Sequence, residues 1–306
     1  MTSFGTDLHD RTLAIDLGKS TCRVRFASPG ASNGSAERRS GVGAPGLAAR
    51  DGVALALASI RPLLALPADG IRPSRVGAGA AGALYAPAEA AALARALSDA
   101  VGAPAAVASD VVTAHVGALG GAAGVLLIAG TGAVALGVTA DGYRSVDGWG
   151  PELGDFGSGS WIGREGVRAV LRARDGLAPA TALTAALAPL TANADSPIAW
   201  VGASAAPARL MGTFAPAVLD AADEGDPAAV AIRDEAAGLL ADTARAAAGG
   251  ADAAETVVAL HGGLTEHAGF RAAMTAALAA RRLRAITSLG DALDGAAMIA
   301  EGRAPL

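Results

Sequence analysis

Cysteine is almost absent from this chain of 306 residues: Cys22 is the only one. That excludes a disulfide framework, a cysteine-based zinc site and a self-contained iron–sulfur cluster, and it favours a cytosolic compartment. Aromatic residues make up 3% of the chain against 52% hydrophobic. The expected core is therefore finely packed Ala, Val and Leu instead of large rings. Excess positive charge is missing too, since the net charge is −5; this argues against a nucleic-acid partner. The one basic run, Arg281-Arg282-Leu283-Arg284, is expected to be a solvated helix end. Long hydrophobic runs are also lacking. The Ala/Gly-rich stretches are broken by charge or proline before reaching the roughly 18 residues a membrane span needs. The polar, acidic start MTSFGTDLHDR does not have the make-up of a signal peptide. No membrane partner is expected, and the length suffices for two domains with real cores.

What is abundant is glycine, and its densest functional use is residues 147–163, DGWGPELGDFGSGSWIG. Six glycines stand there beside Asp147, Glu152 and Asp155, with two of the chain's three tryptophans. Glycine lets backbone approach a ligand closely, and carboxylates beside flat rings suit a polyhydroxylated ligand. Nothing in the sequence assigns Asp147 or Glu152 a ligand of its own.

Periodicity predicts an α/β chain. Residues 11–16 and 22–27 read as a strand hairpin around a turn at 17–20, followed by a loop over 28–46. A helix is expected over 51–66 with Asp51 as N-cap, a short strand and turn over 76–82, and a helix over 87–101 with proline in its first turn. AAVAS (105–109) is a short strand ending at Asp110, and a helix over 111–119 follows. GVLLIAG (124–130) is the strongest strand, with a return strand over 133–138. Helix is expected over 157–174 and, with breaks near 189–200 and 225–227, over 177–247. TVVALHGG (256–263) is a buried strand, and 291–300 a last helix. A strand, a Gly-containing turn and a return strand occur near 11–27 and again near 124–138, the trace that two related α/β halves would leave.

Three patterns mislead. Gly18-Lys19-Ser20 resembles the end of a P-loop, but Leu13 stands where that motif needs glycine, and a strand follows instead of a helix. Gly77-Ala-Gly79-Ala-Ala-Gly82 matches the dinucleotide fingerprint, yet IRPSRV before it is no hydrophobic strand and Pro87 interrupts the helix that should follow. His115, His261 and His267 lack metal-ligand spacing and are expected to be packing or surface residues.

The two hairpin turns make sense as phosphate clamps. In the first, Asp16 ends a strand, and Gly18, Lys19 and Ser20 form the turn. Successive backbone N–H groups there would make an anion-binding concavity, and Asp16 would hold Mg²⁺ through water. An ordinary hairpin with Asp as a turn residue is equally open. In the second, Gly130-Thr131-Gly132 repeats the chemistry at the end of a buried strand. Asp110 lies at a strand-to-helix junction, where the carboxyl ends of strands line a crevice in α/β sheets. A general base and a helix N-cap are both open for it.

These residues carry a resemblance. IDLGKS (15–20), VGAGAAG (76–82), SDVVTAHVGAL (109–119), LIAGTGAVALGV (127–138), residues 147–176, ALHGGL (259–264) and LGDALDGAAMIA (289–300) are similar to the BadF/BadG/BcrA/BcrD-type ATPase family. Within it they resemble the N-acetylglucosamine kinase branch of the actin/hexokinase/Hsp70 ATPase superfamily. The resemblance implies two ribonuclease-H-like domains with an ATP cleft between them, residues 1–104 plus 291–306 and residues 105–290. It implies an ATP-dependent kinase acting at O6 of an amino sugar, with ATP and Mg²⁺ as cofactors. Asp16 and Gly18–Ser20 match the first phosphate motif, Gly130–Gly132 the second, and Gly262 and Gly263 the adenosine motif. Asp110 matches the catalytic base, and Gly148, Trp149, Gly150 and Asp155 the sugar-binding segment. Family analogy also suggests a homodimer. The family's sugar-contacting Asn is not apparent in SGVGAPGL (40–47), and Asn33 stands earlier in the loop. N-acetylglucosamine, glucosamine and N-acetylmuramic acid therefore stay open, as do a non-catalytic sugar sensor and a partner-driving ATPase. The zinc motif of ROK-type kinases is absent, and one cysteine is too few for the iron–sulfur dehydratase activators.

Overall fold

The computed structural model describes residues 11–27, 36–67, 69–139, 142–249 and 255–304; Asn33 lies outside them. The chain forms two compact units, residues 1–122 with 288–306, and residues 123–287. The boundary expected at 104/105 falls at 122/123 because the strand over 105–109 is hydrogen-bonded into the first sheet, paired in parallel from Val76↔Ala105 to Ala80↔Ser109. The return to the first unit comes at 288 instead of 291.

The first unit holds β1 (Thr12–Leu17), β2 (Thr21–Ala27), β3 (Glu37–Val42), β4 (Arg75–Ala80) and β5 (Ala105–Ser109), in the order β3-β2-β1-β4-β5. The first three strands form an antiparallel meander, and β4 and β5 add in parallel. Alternation along β1 sorts its side chains. Leu13, Ile15 and Leu17 join a core with Leu93 and Leu97 of α2 (Pro87–Val101) and with Ala56 and Ile60 of α1 (Gly52–Ile60). Ala14 faces the other way, onto Leu293, Ala296 and Ala297 of the last helix, α11 (Ala292–Ala300). With α3 (Asp110–Leu119), α11 covers that second face.

The Gly77 and Gly79 of the apparent dinucleotide fingerprint lie inside β4. A Cβ on Gly77 would sit 1.8 Å from Ala296 O, and one on Gly79 2.1 Å from Thr113 Oγ1. These glycines let α11 and α3 approach the sheet. Asp51 holds the N-cap position of α1, but in the left-handed region (φ 57°) and without a side-chain cap.

The second unit repeats the topology. β6 (Val125–Ala129), β7 (Ala133–Thr139) and β8 (Gly142–Asp147) form an antiparallel meander, and β9 (Val257–His261) and β10 (Arg284–Thr287) add in parallel, in the order β10-β9-β6-β7-β8. The helices are α4 (Gly159–Arg174), α5 (Leu183–Leu187), α6 (Pro197–Gly202), α7 (Pro207–Gly212), α8 (Ala215–Asp223), α9 (Pro227–Ala247) and α10 (Ala268–Ala280). α9 buries a stripe of alanines against β6 and β7, and Phe214 and Phe270 are the largest fully buried side chains. The core is the small-residue one that the composition implies.

β3 replaces part of the loop expected over 28–46, and β8, β10 and α10 join the expected elements. β3 (ERRSGV) and β8 (GYRSVD) are equivalent edge strands of the two sheets. Mostly solvent-facing, they have no apolar alternation to betray them. Instead of a single helix end, the basic run spans the close of α10, with Arg281 as C-cap, and the start of β10. Among the described residues no helix is long and apolar enough to cross a membrane.

Candidate functional site

In each unit the candidate residues gather at one end of the sheet. In the first unit, register places Asp16 opposite Gly79, and Gly79 opposite Ala108. Asp16 therefore stands two strands from β5, whose end leads into Asp110. Asp16 points to the α11 face, its side chain 14% exposed. Arg23, its partner across the hairpin, donates to Asp16 Oδ2 from Nε at 3.0 Å and Nη2 at 2.5 Å. The same guanidinium reaches Asp291, the N-cap of α11, at 3.7 Å. Two residues along β2, Arg25 pairs with Asp294 at 2.6 Å and donates to Leu293 O at 3.2 Å. Sequence reasoning passed over both arginines. The signal was their i, i+2 spacing, which puts both on the face of β2 opposite Cys22, Val24 and Phe26.

The Gly18–Ser20 turn is backed by the stretch after β3. Ala44 N donates to Gly18 O and Gly43 N to Ser20 O, both at 3.1 Å. Among the described residues no hydrogen bond engages the backbone N–H of Lys19 or Ser20, and both side chains are exposed.

Asp110 is the first residue of α3, and Ser109 takes the N-cap position. The N-cap alternative for Asp110 is thus displaced by one residue. Ser109 Oγ donates to Asp110 Oδ1 at 3.0 Å, and Val111 N to the same oxygen at 2.9 Å. Among the described residues no hydrogen bond reaches Oδ2. Burial raises the pKa of this carboxyl above the ordinary value, and the charge of Asp16 adds to the effect against the two hydrogen bonds.

In the second unit, the turn Gly130–Gly132 at the end of β6 is braced by the start of α4. Gly159 N donates to Gly130 O at 2.8 Å and Ser160 N to Thr131 O at 3.1 Å. A trans peptide sets its C=O and the next N–H on opposite sides. The N–H groups of Thr131 and Gly132 therefore point away from α4, side by side. The first amides of α4 serve the turn instead of an anion, and the turn itself presents the donor pair. Gly262 follows β9, the neighbour of β6, with φ 103°; a Cβ there would lie 2.4 Å from Ala129 O. Around Gly263 there is open space.

The loop after β8 completes this sheet end. Asp147 is buried and holds three backbone N–H groups, from Gly148, Asp155 and Phe156. Trp149 is 64% exposed, and Gly148 and Gly150 have positive φ. Asp155 turns its carboxylate onto the start of β7, where Oδ1 accepts from Ala133 N at 3.2 Å. Burial raises the pKa of Asp155, with the charges of Asp147 and Glu152 adding to it. The structure thus brings Gly130–Gly132, Gly262, Gly263, Gly148–Gly150 and Asp155 to one end of the second sheet. Lys19 and Ser20 belong to the other unit, with Asp16, Gly18 and Asp110.

Of the described histidines, only His261 adjoins these groups, directly before Gly262. His115 is buried on α3, His261 is exposed at the end of β9, and His267 caps α10 by accepting from Phe270 N at 3.2 Å. Among the described residues no three His, Cys, Asp or Glu side chains could jointly hold a metal. The Asp16 Oδ1 left open by Arg23 suits a hydrated Mg²⁺, which keeps most of its waters and needs one or two carboxylates.

Known proteins resemble this chain in sequence and in fold. An N-acetyl-D-glucosamine kinase of Dictyostelium discoideum is 48% identical over 65 residues, which is 21% of this chain and 20% of the relative's length. The matched stretch thus spans about a fifth of that relative. The crystal structure of an inferred N-acetylglucosamine kinase from Chromobacterium violaceum superposes with a TM-score of 0.71 at 26% identity, covering 95% of this chain and 98% of the other. A ROK family glucokinase from Streptomyces griseus, solved with glucose and AMPPNP, shares the fold at 18% identity and a TM-score of 0.56, covering 95% and 99% of the two chains. The family model of the BadF/BadG/BcrA/BcrD ATPases matches residues 76–300. From β4 through α11 that match takes in Asp110, the second sheet and its loops, and the chain belongs to the BadF/BadG/BcrA/BcrD ATPase family.

Proposed function

We propose that this chain is an ATP-dependent amino-sugar kinase that phosphorylates N-acetylglucosamine or glucosamine at O6, with Asp110 as general base. The observation that carries the reading is the state of Asp110. It is a carboxylate at a sheet end, with one oxygen held by Ser109 and Val111, the other open, and a raised pKa. A base tuned towards the operating pH accepts a proton more readily as the hydroxyl attacks. The names of the relatives in Dictyostelium discoideum and Chromobacterium violaceum support the same substrate class.

The residues fit the nucleotide. The paired N–H groups of Thr131 and Gly132 suit phosphate oxygens, as do the unengaged amides of Lys19 and Ser20. Gly263, with open space around it, lets backbone lie against the nucleoside. Bound ATP supplies the phosphoryl group, and Mg²⁺ neutralises its charge. In such transfers the protein contributes chiefly position and electrostatics. Asp16 Oδ1 would hold the hydrated metal, Asp110 Oδ2 would take the proton that O6 loses as it attacks the phosphoryl group and ADP leaves, and Gly148–Gly150, Trp149 and Asp155 would hold the sugar.

The carboxylates of the sugar-side loop favour a neutral or cationic sugar. Among the described residues no ion pair joins Asp147, Glu152 or Asp155 to a cation. The lactyl carboxylate of N-acetylmuramic acid would meet like charge.

A coupled assay of ADP release across N-acetylglucosamine, glucosamine and N-acetylmuramic acid tests this function. Turnover that depends on one of the first two supports it. Sugar binding without turnover would make the chain a sensor. Hydrolysis indifferent to sugar would make it an ATPase driving a partner.

A further inference from the structure

Asp147 is a buried carboxylate with no cation beside it among the described residues, and it sits where a turn residue would suffice. It is 7% exposed and adopts φ 63°. Its Oδ1 accepts from Gly148 N and Asp155 N, both at 2.8 Å, and its Oδ2 from Phe156 N at 2.9 Å. One side chain at the end of β8 therefore gathers N–H groups from both ends of the loop 148–156. Buried carboxylates are costly unless hydrogen bonds offset the lost hydration, and charge-assisted bonds of this length are among the stronger ones.

The loop is shaped around this anion. Gly154 has no space for a Cβ, which would lie 2.3 Å from Asp147 Oδ1. Asp155 itself is held at φ 54°, a conformation that non-glycine residues keep only when their surroundings dictate it. From outside, Arg164 on α4 donates to Pro151 O at 3.0 Å. With these ties the loop leaves Trp149 exposed and turns the Asp155 carboxylate onto Ala133 N.

We propose that Asp147 is the positioning residue of the candidate sugar site: by collecting the Gly148, Asp155 and Phe156 amides it holds Trp149 and Asp155 in binding geometry before any ligand arrives. The part concerning sugar rests on the kinase function proposed above; the part concerning the loop does not. Asp147 does not touch substrate and acts through Asp155 and Trp149. The charged groups facing Asp155 are Asp147 from β8 and Glu152 from the loop, with Arg164 from α4 behind the loop. Burial raises the pKa of Asp155, and removing the charge of Asp147 removes one of the two neighbouring charges that add to that effect.

The test is Asp147→Asn, with Gly154→Ala disturbing the same contact from the other side should the first variant fold poorly. In the ligand-free wild type, the Gly148, Asp155 and Phe156 amides should be protected from hydrogen exchange, and in Asp147→Asn that protection should fall at least tenfold. The sugar KM should rise about tenfold, the scale of one lost charge-assisted hydrogen bond. The ATP KM should stay within twofold. Unchanged amide protection overturns the proposal whether or not the chain is a kinase. Lost protection with an unchanged sugar KM overturns the positioning role. Absence of sugar-dependent turnover in the wild type would instead sink the kinase function, leaving the amide exchange to judge the loop.

Discussion

Arg23 meets Asp16 on one oxygen only. Both of its bonds, 3.0 Å from Nε and 2.5 Å from Nη2, fall on Oδ2, and the side of the carboxylate that would face a hydrated metal stays open. Arg23 also reaches Asp291 at the start of α11, so the orientation of Asp16 is tied to the last helix of its unit. Replacing Arg23 with Met should leave Asp16 free to rotate. The Mg²⁺ concentration for half-maximal turnover should then rise several-fold while the sugar KM stays put. A metal titration that superposes on the wild type would show that Asp16 needs no such partner.

Asp110→Asn should separate chemistry from stability. General-base catalysis is worth about 10²–10⁴-fold, and kcat should fall by that range with ATP affinity retained. Asn keeps the Oδ1 acceptor used by Ser109 and Val111. The sign for stability is the opposite of a loss. A carboxyl whose folded pKa is raised is destabilising once ionised, so its cost appears as pH rises through the unfolded value and is complete above the folded one. At pH 7 the variant should therefore melt no lower than the wild type. A fall in Tm with kcat nearly intact would make Asp110 a structural residue.

Two glycines should respond in opposite ways. Gly77→Ala places a Cβ 1.8 Å from Ala296 O, a backbone atom that no rotamer change can clear. Overpacking of this kind costs about 1–3 kcal/mol, and Tm should drop by roughly 3–10 °C. Gly263→Ala meets open space; its Tm should not move, whereas its ATP KM should rise. Thermal unfolding alongside ATP titration of both variants checks the pair.

Acid should loosen the start of the first unit through Asp69. Arg11 donates to its two oxygens at 2.8 and 2.6 Å. Those bonds from Arg11, with a further one from Ile71 N, lower its pKa from 3.8 to about 2. A lowered carboxyl stabilises the fold above its unfolded pKa, and the contribution disappears as pH falls from about 4 towards about 2. Asp69→Asn should already lack that contribution at neutral pH and should show a shallower fall of Tm across the same window. Parallel slopes for wild type and variant would remove Asp69 from the acid response.

Much of the fold was legible because the inner strands announce themselves. TLAIDL and VLLIA are buried on both faces and read as apolar runs, and the antiparallel hairpins follow from the short Gly-containing turns. The edge strands β3 and β8 were not legible, since their side chains mostly face water and leave no apolar alternation, even though each pairs with the strand just before it. The boundary between the units was missed for a different reason. Whether AAVAS belongs to the first or the second sheet depends on which strand it pairs with, and pairing is not a local property. Within the candidate site, Asp110 and Gly130 could be named from strand ends and turns, and Gly262 from the family resemblance. Arg23 and Asp147 could not, because a residue that holds another in place is visible only when the distance between them is.

Alone, the order of residues determined an alanine-rich α/β chain with two related halves, and it marked where each sheet ends in glycines and carboxylates. These are consequences of periodicity and turn chemistry, which act over a few residues. Only the tertiary structure decided that Gly77 and Gly79 serve helix packing. It likewise decided that the amides of α4 brace the Gly130–Gly132 turn, and that Asp147, with no ligand of its own, organises the loop around Asp155. Each of these depends on atoms brought within about 3 Å by close packing, and no spacing along the chain encodes that distance.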